Sequence, residues 1–389
     1  MWTIRTLWVL VLITGLSIGT LSHAADFMVE NLDDSGLGSL RQAITESNDS
    51  SGANTIAFES GLEGTITLAS PLPVIVEDLE LIGPGADRIT VSGDSAFRVL
   101  HVGMDVEVTI SGLTFANGLA DAAAFGIGGG ILNEGDLILD DCVVTNNEAE
   151  FSGGGIGNDG ILSLVRSTIS NNAANPDEYG VGGGLENVGR ATIIASTISG
   201  NTADSGGGLA INDGELLLAN STVSGNSAEF LGGGIDNFNG IVKLLHVTVT
   251  DNSGMDGGGL SNEAEATIKN SLIVENSGGD CDNELGDSFQ SEGDNLDTDD
   301  TCPGFSTNSS ASLALGQLAD NGGLTLTHAL GGDSVAVNAA TDCTEIDGTT
   351  GVIEDQRGVS RPQGEDCDIG AFELVGNDDV IFFDRFKSD

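Results

Sequence analysis

The sequence predicts an all-β fold, a single parallel β-helix closed at its N-terminal end by a short helix. A glycine triplet followed by Ile or Leu occurs six times, and an asparagine and two short alternating apolar runs follow each occurrence. The triplets return at intervals of 24 to 29 residues, a suitable length for one coil. The runs lack a helical period and are too short to bury a face alone, so stacked coils are the fold that buries them.

Residues 1–24 are predicted to be a signal peptide. A weakly basic start with Arg5 precedes a mostly apolar run over 7–21, and small residues at 22–24 suit cleavage before Ala25. A membrane anchor is the alternative, but the apolar run is short for a span. We therefore expect export with cleavage, and no transmembrane segment in the mature chain.

Residues 25–118 are predicted to form an N-terminal cap followed by degenerate early coils. In the segment "GSLRQAITESN", Ser39 and Gln42 have the spacing of a capping box. Leu40 and Ile44 would lie on one face of the resulting helix. Such a helix would cover the apolar end of the solenoid, which otherwise invites aggregation.

The regular coils, residues 119–277, carry two columns of asparagines. One column follows the glycine triplets, at Asn133, Asn158, Asn187, Asn212, Asn237 and Asn262. The other ends the second alternating run, at Asn147, Asn172, Asn201, Asn226, Asn252 and Asn276. Asparagine tolerates left-handed backbone, and its amide bonds to nearby backbone groups. We therefore expect both columns to be structural ladders at the corners of the coils rather than ligand sites.

Each coil is expected to contain three strands, which we call first, second and third in chain order after the glycines. The outward positions of the third strand carry Thr or Ser in four consecutive coils, at Thr168 and Ser170, Thr197 and Ser199, Thr222 and Ser224, and Thr248 and Thr250. This face has neither the carboxylate pair of a glycoside hydrolase nor an arginine. A Thr face that orders water or ice is a further hypothesis, although Val143 and Leu272 interrupt the array.

Three carboxylates are the candidate catalytic residues: Glu186, Asp213 and Asp236. Glu186 and Asp236 are expected to point outward from the first strand, two coils apart. Asp213 belongs to a column of acids beside the asparagine corner that also includes Glu134, Asp159 and Glu263. A hydrolase needs two carboxylates at a suitable separation. Our interpretation is a solvated acidic edge, and catalysis is the alternative.

Aromatic residues recur just before the glycine triplets, at Phe125, Phe151, Tyr179 and Phe230. Two interpretations stay open: packing over a corner of the coil, or a stripe that binds a sugar or a partner.

The C-terminal region, residues 278–373, is predicted to contain further coils and a disulfide-bearing cap. Five cysteines in an exported chain suggest disulfides. Spacing favours the local pairs Cys281 with Cys302 and Cys343 with Cys367. Cys142 is left over on an apolar alternation, which favours a buried free thiol.

An acidic stretch within this region is the candidate for a metal site. Asp280, Asp282 and Glu284 begin like a calcium loop, but the following glycine and Glu292 are each displaced by one position. Ca²⁺ is the one cofactor that the sequence suggests, and an acidic loop without metal is the simpler interpretation.

Charge excludes one class of partner. The chain has 60 Asp and Glu against 12 Lys and Arg, a net charge of −48. Nothing here could neutralise a phosphate backbone, so we expect no nucleic-acid partner.

Several segments together resemble bacterial surface or secreted β-helix proteins. The segments are "NLDDSGLGSLRQAITESN", the "GGGI.N" and "STISGN" coils, "LADNGGLTLTHAL" and "DQRGVSRPQGEDCDIGAFE". Such proteins carry a CSLREA-like N-terminal segment and a choice-of-anchor C-terminal region, with repeats in the style of polymorphic outer-membrane proteins. The resemblance implies a right-handed, pectate-lyase-like β-helix in a secreted or outer-surface setting, and no settled activity. Here Gly38 stands where the N-terminal signature has Cys.

The tail, residues 374–389, ends in "VIFFDRFKSD". It resembles a short aromatic C-terminal motif of some proteobacterial exported proteins, which implies a sorting or anchoring tag. An edge strand or a frayed end is the alternative.

The sequence therefore predicts a non-enzymatic extracellular or cell-surface β-helix protein that acts as a scaffold or adhesin. Its partner would be a polysaccharide or the surface of a host or neighbouring cell. A polysaccharide lyase or glycoside hydrolase acting on the lateral face of the β-helix is the alternative.

Overall fold

A computed structural model describes residues 25–175, 179–283, 288–345 and 351–376. The predicted signal peptide, Glu284 and most of the predicted tail lie outside these ranges. The chain winds through about 11 turns of a right-handed parallel β-solenoid, so the predicted fold class is confirmed. No helix within the described ranges is long and apolar enough to cross a membrane.

Three parallel sheets run along the solenoid. The first-strand sheet contains Leu100–Val102, Ile131–Asn133, Ile156–Asn158, Leu185–Asn187, Leu209–Ile211, Ile235–Asn237, Leu260–Asn262 and Cys281–Asp282. The second-strand sheet contains Asp26–Val29, Asn54–Phe58, Leu79–Ile82, Glu107–Ser111, Asp136–Asp140, Ile161–Val165, Arg190–Ile194, Glu215–Ala219, Ile241–Leu245, Glu265–Lys269 and Ser288–Glu292. The third-strand sheet contains Gly64–Thr67, Ile89–Ser92, Thr114–Ala116, Val143–Thr145, Thr168–Ser170, Thr197–Ser199, Thr222–Ser224, Thr248–Thr250, Leu272–Val274, Leu296–Asp297 and Ser306–Thr307.

Smaller elements complete the fold. A fourth parallel sheet of two-residue strands contains Leu119–Ala120, Glu148–Ala149, Ala173–Ala174, Thr202–Ala203 and Ser227–Ala228. Leu315–Ala319 and Thr327–Leu330 form an antiparallel pair. The helices are Leu40–Asn48 and Ser310–Leu313, with a 3₁₀ turn at Ala122–Ala124.

The core fills the inside of the coils with apolar side chains in register. Ile131 pairs with Ile156, which pairs with Leu185, and all three side chains are completely buried. Because successive strand residues point to opposite faces, the alternation that marks the inner face also fixes which residues point outward.

The helix Leu40–Asn48 packs against the N-terminal end of this core. The Ser39 hydroxyl accepts a hydrogen bond from Gln42 N, as a helix N-cap does. The Gln42 side chain accepts from Gly38 N rather than from Ser39 N, so the capping box is shifted by one residue. Leu40 and Ile44 are buried in the core cluster.

An unbroken ladder of side-chain amides follows the third strand. Each Nδ2 donates to the Oδ1 of the next coil at 2.9 to 3.0 Å along Asn147, Asn172, Asn201, Asn226, Asn252 and Asn276. The ladder ends on Asp280, whose Oδ1 accepts from Asn276 Nδ2.

The ladder beside the first strand is broken in the middle. Asn133 bonds to Asn158 and Asn158 to Asn187, while Asn237 bonds to Asn262. The prediction that Asn212 joins this column is wrong. The coil that begins at Gly206 has one extra residue between its glycines and its asparagine. Buried Ile211 therefore takes the ladder position.

The cysteines pair locally. Cys281 bonds to Cys302 and Cys343 bonds to Cys367. Cys142 is free and buried, and this burial raises the pKa of its thiol to about 12. It is therefore unreactive at neutral pH.

Candidate functional site

The outward Thr and Ser face of the third strand is covered by the chain's own C-terminal region. We call the described residues 315–345 and 351–376 the C-terminal cover. Thr197, Thr222 and Thr250 under it have no exposed surface, whereas Thr168 and Ser170, one coil before Thr197, are half-buried. The hypothesis of a water-ordering face is wrong for these coils because solvent does not reach them.

Side-chain hydrogen bonds attach the cover to this face. Thr222 Oγ1 donates to Gln356 Oε1 at 2.6 Å, and Gln356 Nε2 donates to Thr197 Oγ1 at 3.0 Å. Ser224 Oγ lies 2.8 Å from His328 Nε2, and Thr248 Oγ1 accepts from Ala371 N. The repeated hydroxyls are therefore used as a docking surface within the chain.

Apolar residues that interrupt the Thr array contribute to the same contact. Leu272 and Val274 are buried in a second core cluster with Leu330, Ile369 and Phe372 of the cover. The interruption at Leu272, read from the sequence as a defect in a regular face, is the apolar part of this interface.

Two buried cations contribute to the cover: one attaches it to the solenoid and the other holds it together internally. Lys269 Nζ donates to Asp342 Oδ2 at 2.9 Å and also to Thr344 Oγ1 and Glu345 O. Within the cover, Arg361 Nη1 lies 3.0 Å from Glu373 Oε2, and both side chains are almost completely buried. Burial raises the pKa of Glu373 and lowers that of Arg361, so each charge depends on its partner.

Glu186 points outward from the first strand, but protein groups occupy its carboxylate. Oε2 accepts from Ser152 Oγ at 2.5 Å and Oε1 accepts from Asn212 Nδ2 at 3.2 Å. Burial raises the pKa of Glu186, and nearby Asp159 adds to this.

Asp236 is more enclosed than its outward position implied. Only 6% of its surface is exposed, and its Oδ1 has no hydrogen-bond partner among the described residues. Burial, followed by repulsion from Glu263, raises the pKa of Asp236 to about 7. The expectation of a solvated acidic edge is wrong at this position.

The three candidate carboxylates do not converge. Ala210 separates Glu186 from Asp236 in the register of the sheet, and each interacts with a different neighbour, Asp159 and Glu263 respectively. Asp213 is exposed at a corner, where Asn239 donates to it. Their assignment as catalytic residues remains a proposal.

Asp236 makes stability depend on pH. Because its folded-state pKa is raised above the ordinary value of 3.8, its contribution to stability is greatest below about pH 4 and is lost as the pH rises through about 7. Asp236→Asn should therefore have a higher free energy of unfolding than the native chain at about pH 8, by a few kcal/mol at most. Urea unfolding should show this difference closing near pH 4. Asp213→Asn, which replaces an exposed acid, is the control for the loss of one negative charge. A gap for Asp236→Asn that is equal at both pH values would contradict the burial argument.

Asp280, one of the three calcium candidates, contributes to the fold instead. Asp280 is fully buried, and its Oδ2 accepts from Thr298 N and Thr298 Oγ1 while Oδ1 accepts from Asn276. Both oxygens are therefore engaged with protein donors. No group of three His, Cys, Asp or Glu suited to a metal occurs within the described ranges. The Ca²⁺ site remains a sequence-based proposal.

The outward face of the second-strand sheet carries a feature that the sequence analysis did not select. A shallow depression of about 420 Å³ is lined by Arg190, Glu215, Lys243 and Glu265. Arg190 Nε lies 3.0 Å from Glu215 Oε2, while Lys243 is exposed and forms no ion pair with the described residues. Strand parity could have revealed this group, since Arg190, Lys243 and Glu265 share one stretch of sheet.

The fold is similar to that in the crystal structure of pectate lyase Pel9A. The TM-score is 0.53, the sequence identity is 14%, and the match covers 90% of this chain and 97% of that chain. At this identity the similarity establishes the fold alone. No family model and no curated protein matches the chain. The resemblance to choice-of-anchor surface proteins therefore stays a prediction.

Proposed function

We propose that this protein is an extracellular or cell-surface β-helix scaffold without catalytic activity, which attaches to a surface polymer. The observation that carries the proposal is the C-terminal cover. It occupies the third-strand face along several coils and uses the outward hydroxyls for its own hydrogen bonds. A substrate chain therefore has no access to that face in the covered coils.

The dispersed acids support the same proposal. Ser152 and Asn212 hydrogen-bond to the carboxylate of Glu186, and Asp236 is enclosed. The two acids therefore do not form a carboxylate pair that is accessible to a sugar. The fold hosts many activities, so the function has to be argued from the site rather than from the fold.

Location is the first test. We expect the mature chain, starting near Ala25, in the culture medium or on the outer surface after cell fractionation. Recovery in the cytoplasm alone would contradict the proposal.

A polysaccharide lyase is the second candidate, and the depression on the second-strand sheet favours it. Lys243 there is an unpaired cation between Glu215 and Glu265, and a lyase needs a base and acidic groups close together. Incubation with polygalacturonate and Ca²⁺, followed for unsaturated products and reducing ends, separates the candidates. The scaffold proposal expects no turnover by the native chain or by Lys243→Met. Turnover that Lys243→Met abolishes would establish the lyase instead.

A further inference from the structure

Exposed aromatic side chains stand in three consecutive coils at one edge of the solenoid. Phe125 and Tyr179 are 78% and 84% exposed, and Phe151 between them is 41% exposed. Backbone hydrogen bonds hold the three coils together here, since Phe151 N donates to Gly126 O and Val181 N donates to Phe151 O. We call these three residues the aromatic edge.

The backbone at the two outer positions is unfavourable for an aromatic residue. Phe125 and Tyr179 have φ values of 64° and 61°, in the left-handed region that favours glycine and asparagine. Most other left-handed positions in the described chain carry Gly, Asn or Asp. Side chains so exposed contribute little to packing. Folding alone therefore does not account for aromatic residues at these positions, and strain of this kind is often found at functional sites.

Neighbouring groups hold the edge in place. The Arg98 guanidinium donates to Ala124 O, Ile127 O and Gly128 O, on both sides of Phe125. Gly126 leaves room for the ring of Phe151, because a Cβ at this glycine would lie 2.4 Å from a ring carbon. The backbone around Phe125 and the ring of Phe151 are thus held in place before any ligand arrives, which reduces the entropy lost on binding.

The spacing of the edge fits a polymer that lies along the solenoid axis. Neighbouring coils are about 4.8 Å apart, so Phe125 and Tyr179, two coils apart, are separated by about 10 Å along the axis. Successive sugar rings in an extended β-linked glycan follow one another at a rise comparable to the spacing between neighbouring coils. Each ring has an apolar C–H face that can stack on an aromatic side chain.

The surrounding charge selects the kind of glycan. Asp121 and Glu148 are exposed beside the edge, and Glu150 immediately precedes Phe151. Arg98 also lies beside Phe125, but its guanidinium is directed to the carbonyls of Ala124, Ile127 and Gly128. Between Arg98 and Arg190 the sequence has a single further Lys or Arg, Arg166, and it is paired with Asp140. A negative edge repels uronate polymers and attracts protonated amino groups, which also interact favourably with aromatic faces.

We propose that the aromatic edge binds a β-linked glycan that carries free amino groups, such as a glucosamine polymer. The inference rests on the proposed attachment role and names its partner.

Glycine substitutions separate binding from folding at this edge. In the double variant Phe125→Gly/Tyr179→Gly, glycine suits the left-handed backbone, so the urea midpoint should be unchanged or higher. Binding of a glucosamine hexamer, measured by calorimetry with the full chain at mildly acidic pH and low salt, should weaken by about tenfold or more. Phe238→Ala is the control: it removes another exposed aromatic side chain, 59% exposed at a different corner, and should leave binding unchanged.

Ligand comparison completes the test. The glucosamine hexamer should bind more tightly than its N-acetylated form, and a galacturonate hexamer should not bind at this edge. Tighter binding of galacturonate, or unchanged glucosamine binding in the double glycine variant, would overturn the inference. Equal binding of oligolysine, lost in the same variant, would assign the edge to basic peptides and also overturn it. Fractionation tests the scaffold proposal independently, because surface location does not depend on these residues.

Discussion

Replacing Asn201 by alanine is expected to lower the free energy of unfolding by about 3–5 kcal/mol, because several buried partners lose their hydrogen bonds at once. Asn201 Oδ1 accepts from Asn172 N and Asn172 Nδ2, and its Nδ2 donates to Ile169 O and Asn226 Oδ1. The side chain has no exposed surface, so water cannot replace these bonds. Urea unfolding followed by circular dichroism measures the change.

Asn212→Ala is the matched control. Asn212 has the same place in the sequence pattern but lies outside the ladder, half-buried, with one bond to Glu186 at 3.2 Å. Its loss should cost about 1 kcal/mol or less. Equal effects of the two substitutions would show that ladder position does not determine the energetic contribution of an asparagine.

Replacing Glu373 by glutamine is expected to lower the free energy needed to open the C-terminal cover by about 3–5 kcal/mol. The substitution leaves the Arg361 charge buried without its partner. Glu373 Oε2 accepts from Arg361 Nη1 and Asp368 N, and Oε1 accepts from Gln363 N. The substitution keeps the shape of the side chain, but the amide NH2 would face N–H groups that now donate to the carboxylate. The cover should therefore open more often while the coils stay folded.

Glu215→Gln provides the comparison. Glu215 also lies 3.0 Å from an arginine nitrogen, but its side chain is 54% exposed and that of Arg190 is 62% exposed. Because solvent screens this pair, Glu215→Gln should lower the stability of the protein by about 1 kcal/mol or less. An effect as large as that of Glu373→Gln would contradict the role assigned to burial.

Repetition explains what the sequence could predict. The glycine triplets, the alternating runs and the ladder at Asn147 to Asn276 recur in every regular coil, so one local pattern determines register, interior and corners. Asn212 fails because a single inserted residue shifts it past the ladder position that Ile211 fills. The extra residue can be counted in the sequence, but only the strand pairing shows that Ile211 rather than Asn212 takes the ladder position.

The cover could not be predicted because its contacts join distant parts of the chain. Thr197 and Gln356 are 159 positions apart and belong to segments without a shared repeat. Outward Thr and Ser side chains look the same in sequence whether they face water or another segment. The apolar Leu272 and Val274 were the available signal, since an outward apolar pair in one coil indicates a covered surface.

Thiol labelling tests the cover, and with it the central claim, most directly. Thr250 lies under the cover with no exposed surface and no hydrogen bond from its hydroxyl to a described residue, so Thr250→Cys removes no hydrogen bond. Thr145 occupies the same column four coils earlier, outside the cover, and Thr145→Cys is the control. Cys142, buried and with a pKa of about 12, adds no background.

A maleimide should label Cys at position 145 rapidly and leave Cys at position 250 protected in the otherwise unchanged chain. Adding Glu373→Gln should raise the labelling rate at position 250 by about a hundredfold, as expected for about 3 kcal/mol of lost closure. Equal labelling of the two positions in the native background would show that the third-strand face is open, and would contradict the account.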